Sequence, residues 1–395
     1  MISQEMLRLG QQSSVIRAIS EYGAKRKQEI GAENVFDFSL GNPSIPAPDA
    51  IEKTILDLCG SVPASILHGY TSSAGDWNTR QAIASSICER FQFPAQAQLI
   101  YMTCGAAASL TVALHALLNA GDEVVVPTPF FPEYRVFIEK AGGTLVEAPC
   151  EMPSFQLSLS RLEEAITEKT KALLINSPNN PTGAVYSEKS LQKLCEMLRR
   201  KEAEFGTHIY LICDEPYREL YYGEGQVPWI PSLYERTLVA YSYSKSLSLP
   251  GERIGYLLVS HAMPESSEVF AAVCGAGRSL GFVCAPSLWQ RVVAQNQGLT
   301  SDVEAYRKNR DLLLASLSRM GYVITPPEGA FYLFVKALEE DAAAFCERAK
   351  KYELLLVPSD SFGVKGFVRI AYCVSGETIE RSLPAFEKLW EEYQK

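Results

Sequence analysis

The chain reads as an α/β protein: a large unit built on a mainly parallel sheet covered by helices, joined to a smaller α+β unit. Three observations predict this. Short apolar runs alternate with helical patterns through the middle of the sequence, as βαβ units do. Most of those runs are continuously apolar rather than alternating, as strands covered on both faces must be. After about Ser287 the texture changes to longer helices around a few strands.

In order, the predicted strands of the large unit are Gln98–Thr103, Glu123–Pro127, Thr144–Ala148, Lys171–Asn176, His208–Asp214, Thr237–Ser242 and Ile254–Ser260. Between them lie predicted helices: Ala107–Asn119, stopped by Gly121; Pro132–Lys140, stopped by Gly142-Gly143; and Glu188–Lys201. The later part predicts helices Ser301–Met320 and Gly376–Tyr393 with strands Ala330–Val335 and Gly366–Tyr372. At 395 residues the chain exceeds one ordinary core. The expected division is a large unit over 45–287 and a small one made of 1–44 and 288–395.

Composition narrows the function classes. Hydrophobic residues are 47% and charged residues 21%, an ordinary globular balance. Lysine plus arginine number 37 against 46 acidic residues, and a net charge of -9 argues against nucleic acid as a partner. Ten cysteines without a C-x-x-C pair and four dispersed histidines predict neither a metal site nor a disulfide framework. The stretch Met1-Ile2-Ser3-Gln4-Glu5 lacks a basic segment leading an apolar core, and even Ala106–Leu118 is broken by Ser109, Thr111 and His115. A cytoplasmic protein with no membrane partner is expected.

In open parallel sheets, ligands bind beyond the carboxyl ends of the strands, so the residues just past each apolar run matter most. Cys104-Gly105-Ala106-Ala107 comes after the first, a small-residue turn opening a helix whose first N–H groups can hold a phosphate. Ser177-Pro178-Asn179-Asn180-Pro181-Thr182-Gly183, Asp214-Glu215-Pro216-Tyr217 and Tyr241-Ser242-Tyr243-Ser244-Lys245 come at the ends of three others, with Arg253 a little further on. Singly these are helix packing, a turn, a helix cap and a solvated loop. Their shared position at strand ends points instead to one ligand.

The chemistry that needs this set is that of an aldehyde cofactor carrying a phosphate and a pyridine ring. Lys245 supplies the amine for a Schiff base, and Asp214 keeps the ring nitrogen protonated so that the ring draws in electrons. The helix start at Ala106 and Ala107, with Ser242 and Arg253, is available to neutralise the phosphate.

These residues resemble the fold-type-I pyridoxal-phosphate enzymes, specifically the class I/II aminotransferases related to aspartate aminotransferase. The likeness runs nearly end to end, with the Ser177–Gly183, Asp214–Tyr217 and Ser242–Lys245 segments and Arg253 in the family's order. It implies pyridoxal 5'-phosphate as cofactor, held also by Gly105 and Ser244. It implies that Phe131, with Phe130 as rival, stacks on the cofactor ring and that Asn180 and Tyr217 bond its phenolic oxygen. Tyr70 would reach the cofactor phosphate of the partner subunit, which implies a homodimer with shared active sites. Gly41 and Asn180 would meet the substrate. So would Arg369, and this assignment has support of its own: a guanidinium in the otherwise apolar Gly366–Tyr372 needs an anion, and its planar fork suits an α-carboxylate.

The implied activity is transfer of an amino group from an L-amino acid, with aspartate- or alanine-like donors favoured, to a 2-oxo acid. The alternatives are a C–S β-lyase on the same scaffold and, further off, a non-enzymatic amino-acid-sensing domain. Three departures bear on substrate choice. Ala107 stands where many bacterial relatives carry a lysine for a side-chain carboxylate. Arg278 lies about two residues from the position of another subfamily's distal arginine. Ser359 replaces a common glycine.

Overall fold

The computed structural model describes residues 2–11 and 14–395. Its strands are β1 (Phe36–Asp37), β2 (Ile100–Thr103), β3 (Glu123–Thr128), β4 (Thr144–Pro149), β5 (Thr170–Asn176), β6 (Tyr210–Asp214), β7 (Thr237–Ser242), β8 (Gly255–Val259), β9 (Tyr332–Lys336), β10 (Leu354–Leu355), β11 (Val357–Pro358) and β12 (Phe367–Ala371). A seven-stranded sheet runs β2-β8-β7-β6-β5-β3-β4. Neighbours are parallel except at β8, which is antiparallel to both β7 and β2. The reversal follows from chain economy: parallel strands need a long crossover, whereas Tyr243–Ile254 is short enough only to turn back. That turn carries Lys245 and Arg253, so both stay at the carboxyl end of the sheet.

All strands of this sheet but the edge strand β4, whose residues alternate between exposed and buried, are buried on both faces. One face packs Val125, Leu173, Leu211, Val239 and Leu258 against one group of helices, and the other packs Val124, Leu174, Ile212, Leu238 and Leu257 against a second. This explains the continuous apolar runs. Helix Ala106–Leu117 starts at Gly105, whose φ of 93° is left-handed backbone open mainly to glycine.

A separate core gathers Tyr306, Leu313 and Leu317 of helix Val303–Met320, Phe345 of Ala342–Ala349 and Ile379, Phe386 and Leu389 of Gly376–Glu392 around the antiparallel sheet β11-β12-β9. Helix Ser287–Gln295, expected at the start of this second unit, instead buries Val292 and Val293 in the sheet's core. The amino-terminal segment is tied to the small core by parallel pairing of β1 with β10. Lys27–Asp37 at 2.8 Å and Arg26–Glu353 at 2.6 Å add ion pairs on helix Val15–Ile30, which precedes β1. This anchorage carries Ser39, Leu40 and Gly41 across to the end of the large sheet.

Candidate active site

One pocket lies at the carboxyl ends of β5, β6 and β7 and is closed from the side by β9, β12 and the Leu40–Gly41 segment. Its walls include Ala106, Ala107, Phe131, Asn180, Asp214, Tyr217, Ser242, Ser244, Lys245, Arg253, Arg369 and Gly41. The strand-end residues singled out in the sequence therefore converge. Gly105 does not line the pocket but directly precedes Ala106, which does, and faces Arg253 and Ser242.

At one end is a cup for an anion. A Cβ placed on Gly105 would stand 3.0 Å from Arg253 Nη2 and 3.4 Å from Ser242 Oγ, so the glycine lets backbone and guanidinium face each other closely. Ser242 Oγ and Ser244 Oγ are 2.8 Å apart, and the amide of Ser244 donates to Ser242 Oγ at 3.2 Å. Ala106 and Ala107 begin the twelve-residue helix whose unpaired N–H groups make its start positive.

Lys245 follows within the short helix Tyr243–Ser246. Its Nζ donates to the carbonyl of Gly41 at 2.5 Å. Burial pushes the amine down to about 8; nearby Cys373 opposes the fall, while Arg253 and Arg369 add to it.

Asp214 ends β6 beside Asn176 of β5. Its Oδ2 accepts from Tyr134 Oη at 2.5 Å, and its Oδ1 is buried without a partner. Burial pushes the carboxyl up to about 7, against the Tyr134 hydrogen bond and with help from Glu215. Asn176 fixes the neighbourhood: its Nδ2 donates to the Asp214 carbonyl at 2.8 Å, and its Oδ1 accepts the Asn180 amide at 2.7 Å.

Arg369 is 2% exposed. Its Nη1 donates to Asn180 Oδ1 at 3.0 Å and its Nη2 to the Ser39 carbonyl at 2.5 Å; Nε has no partner. No carboxylate among the described residues pairs with it, and the strand register puts it opposite Phe334 on β9. Tyr217 is buried, and its hydroxyl lies 2.8 Å from that of Tyr332. Phe131 lines the pocket, whereas the rival Phe130 is 2% exposed and belongs to the sheet's core.

Three residues stand apart. Tyr70 is 98% exposed and outside this chain's pocket. Arg278 is exposed in the last turn of helix Ser266–Leu280, also outside it. Ser359 is buried and structural, its Oγ accepting the amide of Phe367 at 3.0 Å. Sequence reasoning missed Tyr134, Asn176 and Tyr332, and the apolar rim of Ile16, Leu40 and Phe137. Tyr134 carried one signal: it falls three residues after Phe131, at the start of the predicted helix Pro132–Lys140.

The sequence pattern of the family aminotransferase class I and II matches residues 33–386. Aspartate aminotransferase of Thermotoga maritima is 31% identical over 388 residues, covering 94% of this chain and 98% of that one. Among solved structures, an amino transferase from Eubacterium rectale superposes with a TM-score of 0.96 at 50% identity, covering 100% of both chains. Aspartate aminotransferase from Thermus thermophilus with maleate reaches 0.86 at 26% identity, over 98% of this chain and 100% of that one.

Proposed function

The chain belongs to the class I and II aminotransferases and is an aminotransferase, and from that premise we propose that it works with pyridoxal 5'-phosphate bound at Lys245. The amino group passes from an L-amino acid, with aspartate- or alanine-like donors favoured, to a 2-oxo acid. The observation that carries this reading is the amine of Lys245, held at Gly41 O in the same pocket as Asp214, whose Oδ1 is unpartnered, and Arg369, whose Nε is unpartnered.

The residues fit this cofactor. The cup of Gly105, Ala106, Ala107, Ser242, Ser244 and Arg253 suits its phosphate, and a Cβ at Gly105 would crowd Arg253 and Ser242. The free Oδ1 of Asp214 suits a protonated ring nitrogen. Asn180 spends its Oδ1 on Arg369 and keeps its amide hydrogens for the phenolic oxygen, with the Tyr217 hydroxyl beside it. Phe131 supplies a ring face to stack on. Bound there, pyridoxal phosphate supplies an aldehyde carbon that takes the amino group and a ring that takes up electron density from Cα.

The chain's own groups do the rest. Arg369, with Asn180 and the backbone at Gly41, holds the substrate carboxylate in a fixed geometry. Lys245 Nζ, oriented by the Gly41 carbonyl, would take the proton from substrate Cα. Its lowered proton affinity keeps a useful fraction neutral near physiological pH. Asp214, once ionised, holds a proton at the ring nitrogen. The two cores act as a large and a small unit that meet at the site, and the partner subunit's Tyr70 completes the phosphate cup in a homodimer. The setting we propose is the cytoplasm; no helix among the described residues is long and apolar enough to cross a membrane.

Borohydride reduction of the cofactor-loaded protein, followed by peptide mass measurement, tests the assignment. The cofactor mass belongs on the peptide containing Lys245. The same mass on another lysine would refute the proposal.

A further inference from the structure

A second phenol stands behind the first. Tyr332, on β9, is 2% exposed and lines the pocket. Its hydroxyl is 2.8 Å from that of Tyr217, the only hydrogen-bond partner of either side chain among the described residues. Its position is also set sterically: a Cβ on Gly41 would collide with Tyr332 Oη, so the hydroxyl occupies the space that the glycine leaves. Its ring lies beneath the guanidinium of Arg369, whose Cζ is 4.6 Å from the centroid. Tyr332 therefore touches the residue that presents Gly41 O to Lys245, the residue placed on the substrate carboxylate and the residue placed on the cofactor's phenolic oxygen.

We infer that Tyr332 is a positioning residue that donates its hydroxyl proton to Tyr217 Oη and so turns the Tyr217 proton into the pocket. The inference rests on the proposed cofactor. Two phenols 2.8 Å apart can place only one of their two protons on the line between them. Whichever donates leaves the other's proton to point elsewhere. Tyr217 lines the pocket and meets the anionic phenolic oxygen of the proposed cofactor, a stronger acceptor than a neutral phenol. With the Tyr217 proton spent there, the buried Tyr332 hydroxyl has only Tyr217 Oη to donate to. A Tyr217 that accepts one hydrogen bond also donates its own more strongly, since hydrogen-bonded chains polarise one another. The other titratable or charged groups facing the pair are Tyr134, Asp214, Arg369 and Cys373, with Lys245 lining the same pocket.

The test reads the pH midpoint at which the visible band of the cofactor-loaded protein changes, without turnover. A hydrogen bond to the anionic phenolic oxygen favours that form, so weakening the Tyr217 donor moves the midpoint to higher pH. Tyr332→Phe keeps the ring under Arg369 and removes only the hydroxyl; we expect an upward shift of about half a pH unit, the size of one net hydrogen bond. Tyr217→Phe shifts it further in the same direction, and Tyr217→Phe/Tyr332→Phe matches Tyr217→Phe alone. An unmoved midpoint in Tyr332→Phe, or an equal further shift in the Tyr217→Phe background, would overturn the inference. Should Tyr332→Phe not fold, 3-fluorotyrosine placed at position 332 keeps the shape and sharpens the donor; a downward shift supports the inference and an unmoved midpoint overturns it. A wild-type protein with no visible band after added cofactor overturns the cofactor reading as well, which separates the two failures.

Discussion

Lys245, Asp214 and Arg369 owe their chemistry to burial. With its proton affinity lowered to about 8 by desolvation, Lys245 becomes neutral as pH rises through that value. The rate at which cofactor-free protein captures the aldehyde should climb through the same midpoint and level off above it. A rate indifferent to pH across it would contradict the assignment. Asp214 runs the other way: burial raises it to about 7, and the Tyr134 hydrogen bond favours the ionised form. Tyr134→Phe removes that support, so the carboxyl protonates at higher pH, and the acid limb of the kcat/KM profile should move upward. Arg369 has only neutral partners, and truncation to alanine should lower kcat/KM on the order of 100-fold or more for donor and acceptor alike, mostly through KM. Lys245, Asp214 and Arg369 were legible because an ionisable residue at the end of, or inside, an apolar run demands a reason. Tyr134 and Tyr332 were not legible: a tyrosine in an apolar pattern looks like core, and only the fold shows where its hydroxyl goes.

Among the elements, the turns at strand ends carry the site, and most of the strands were evident from apolar runs alone. Their boundaries moved by a few residues, as in Ile100–Thr103 for the expected Gln98–Thr103, because strand ends depend on pairing partners. The direction of β8 had no periodicity signal; it came from the shortness of Tyr243–Ile254. The turn at Gly105 is the most exacting of the set. Its left-handed φ of 93° and the 3.0 Å approach of Arg253 Nη2 leave an added methyl both a backbone and a steric cost. Gly105→Ala should weaken cofactor retention about tenfold, from a backbone cost of about 1–2 kcal/mol, with little change in overall fold. Equilibrium dialysis against the cofactor would measure it; unchanged retention would mean that the cup does not hold the phosphate.

At the scale of the molecule, the site exists because two cores and the amino-terminal segment meet. The β1–β10 pairing joins residues far apart in sequence, and it is what delivers Gly41 to Lys245. Local pattern carries little trace of such pairing, and the same lack of local signal put Ser287–Gln295 with the wrong core. Tyr70, fully exposed here, has a role only if a second subunit meets it. Mixed dimers formed from Lys245→Ala and Tyr70→Ala chains should then regain activity above the sum of the two parents, because each hybrid restores one complete site. No gain in demonstrably mixed dimers would mean unshared sites. The most direct test of the whole account is the visible spectrum of the cofactor-loaded protein mixed with single amino acids in the absence of any oxo acid. A productive donor should abolish the band of the lysine-bound cofactor, and a 2-oxo acid should then restore it. A band that persists while ammonia and pyruvate accumulate, or no band even after cofactor is added, would contradict it.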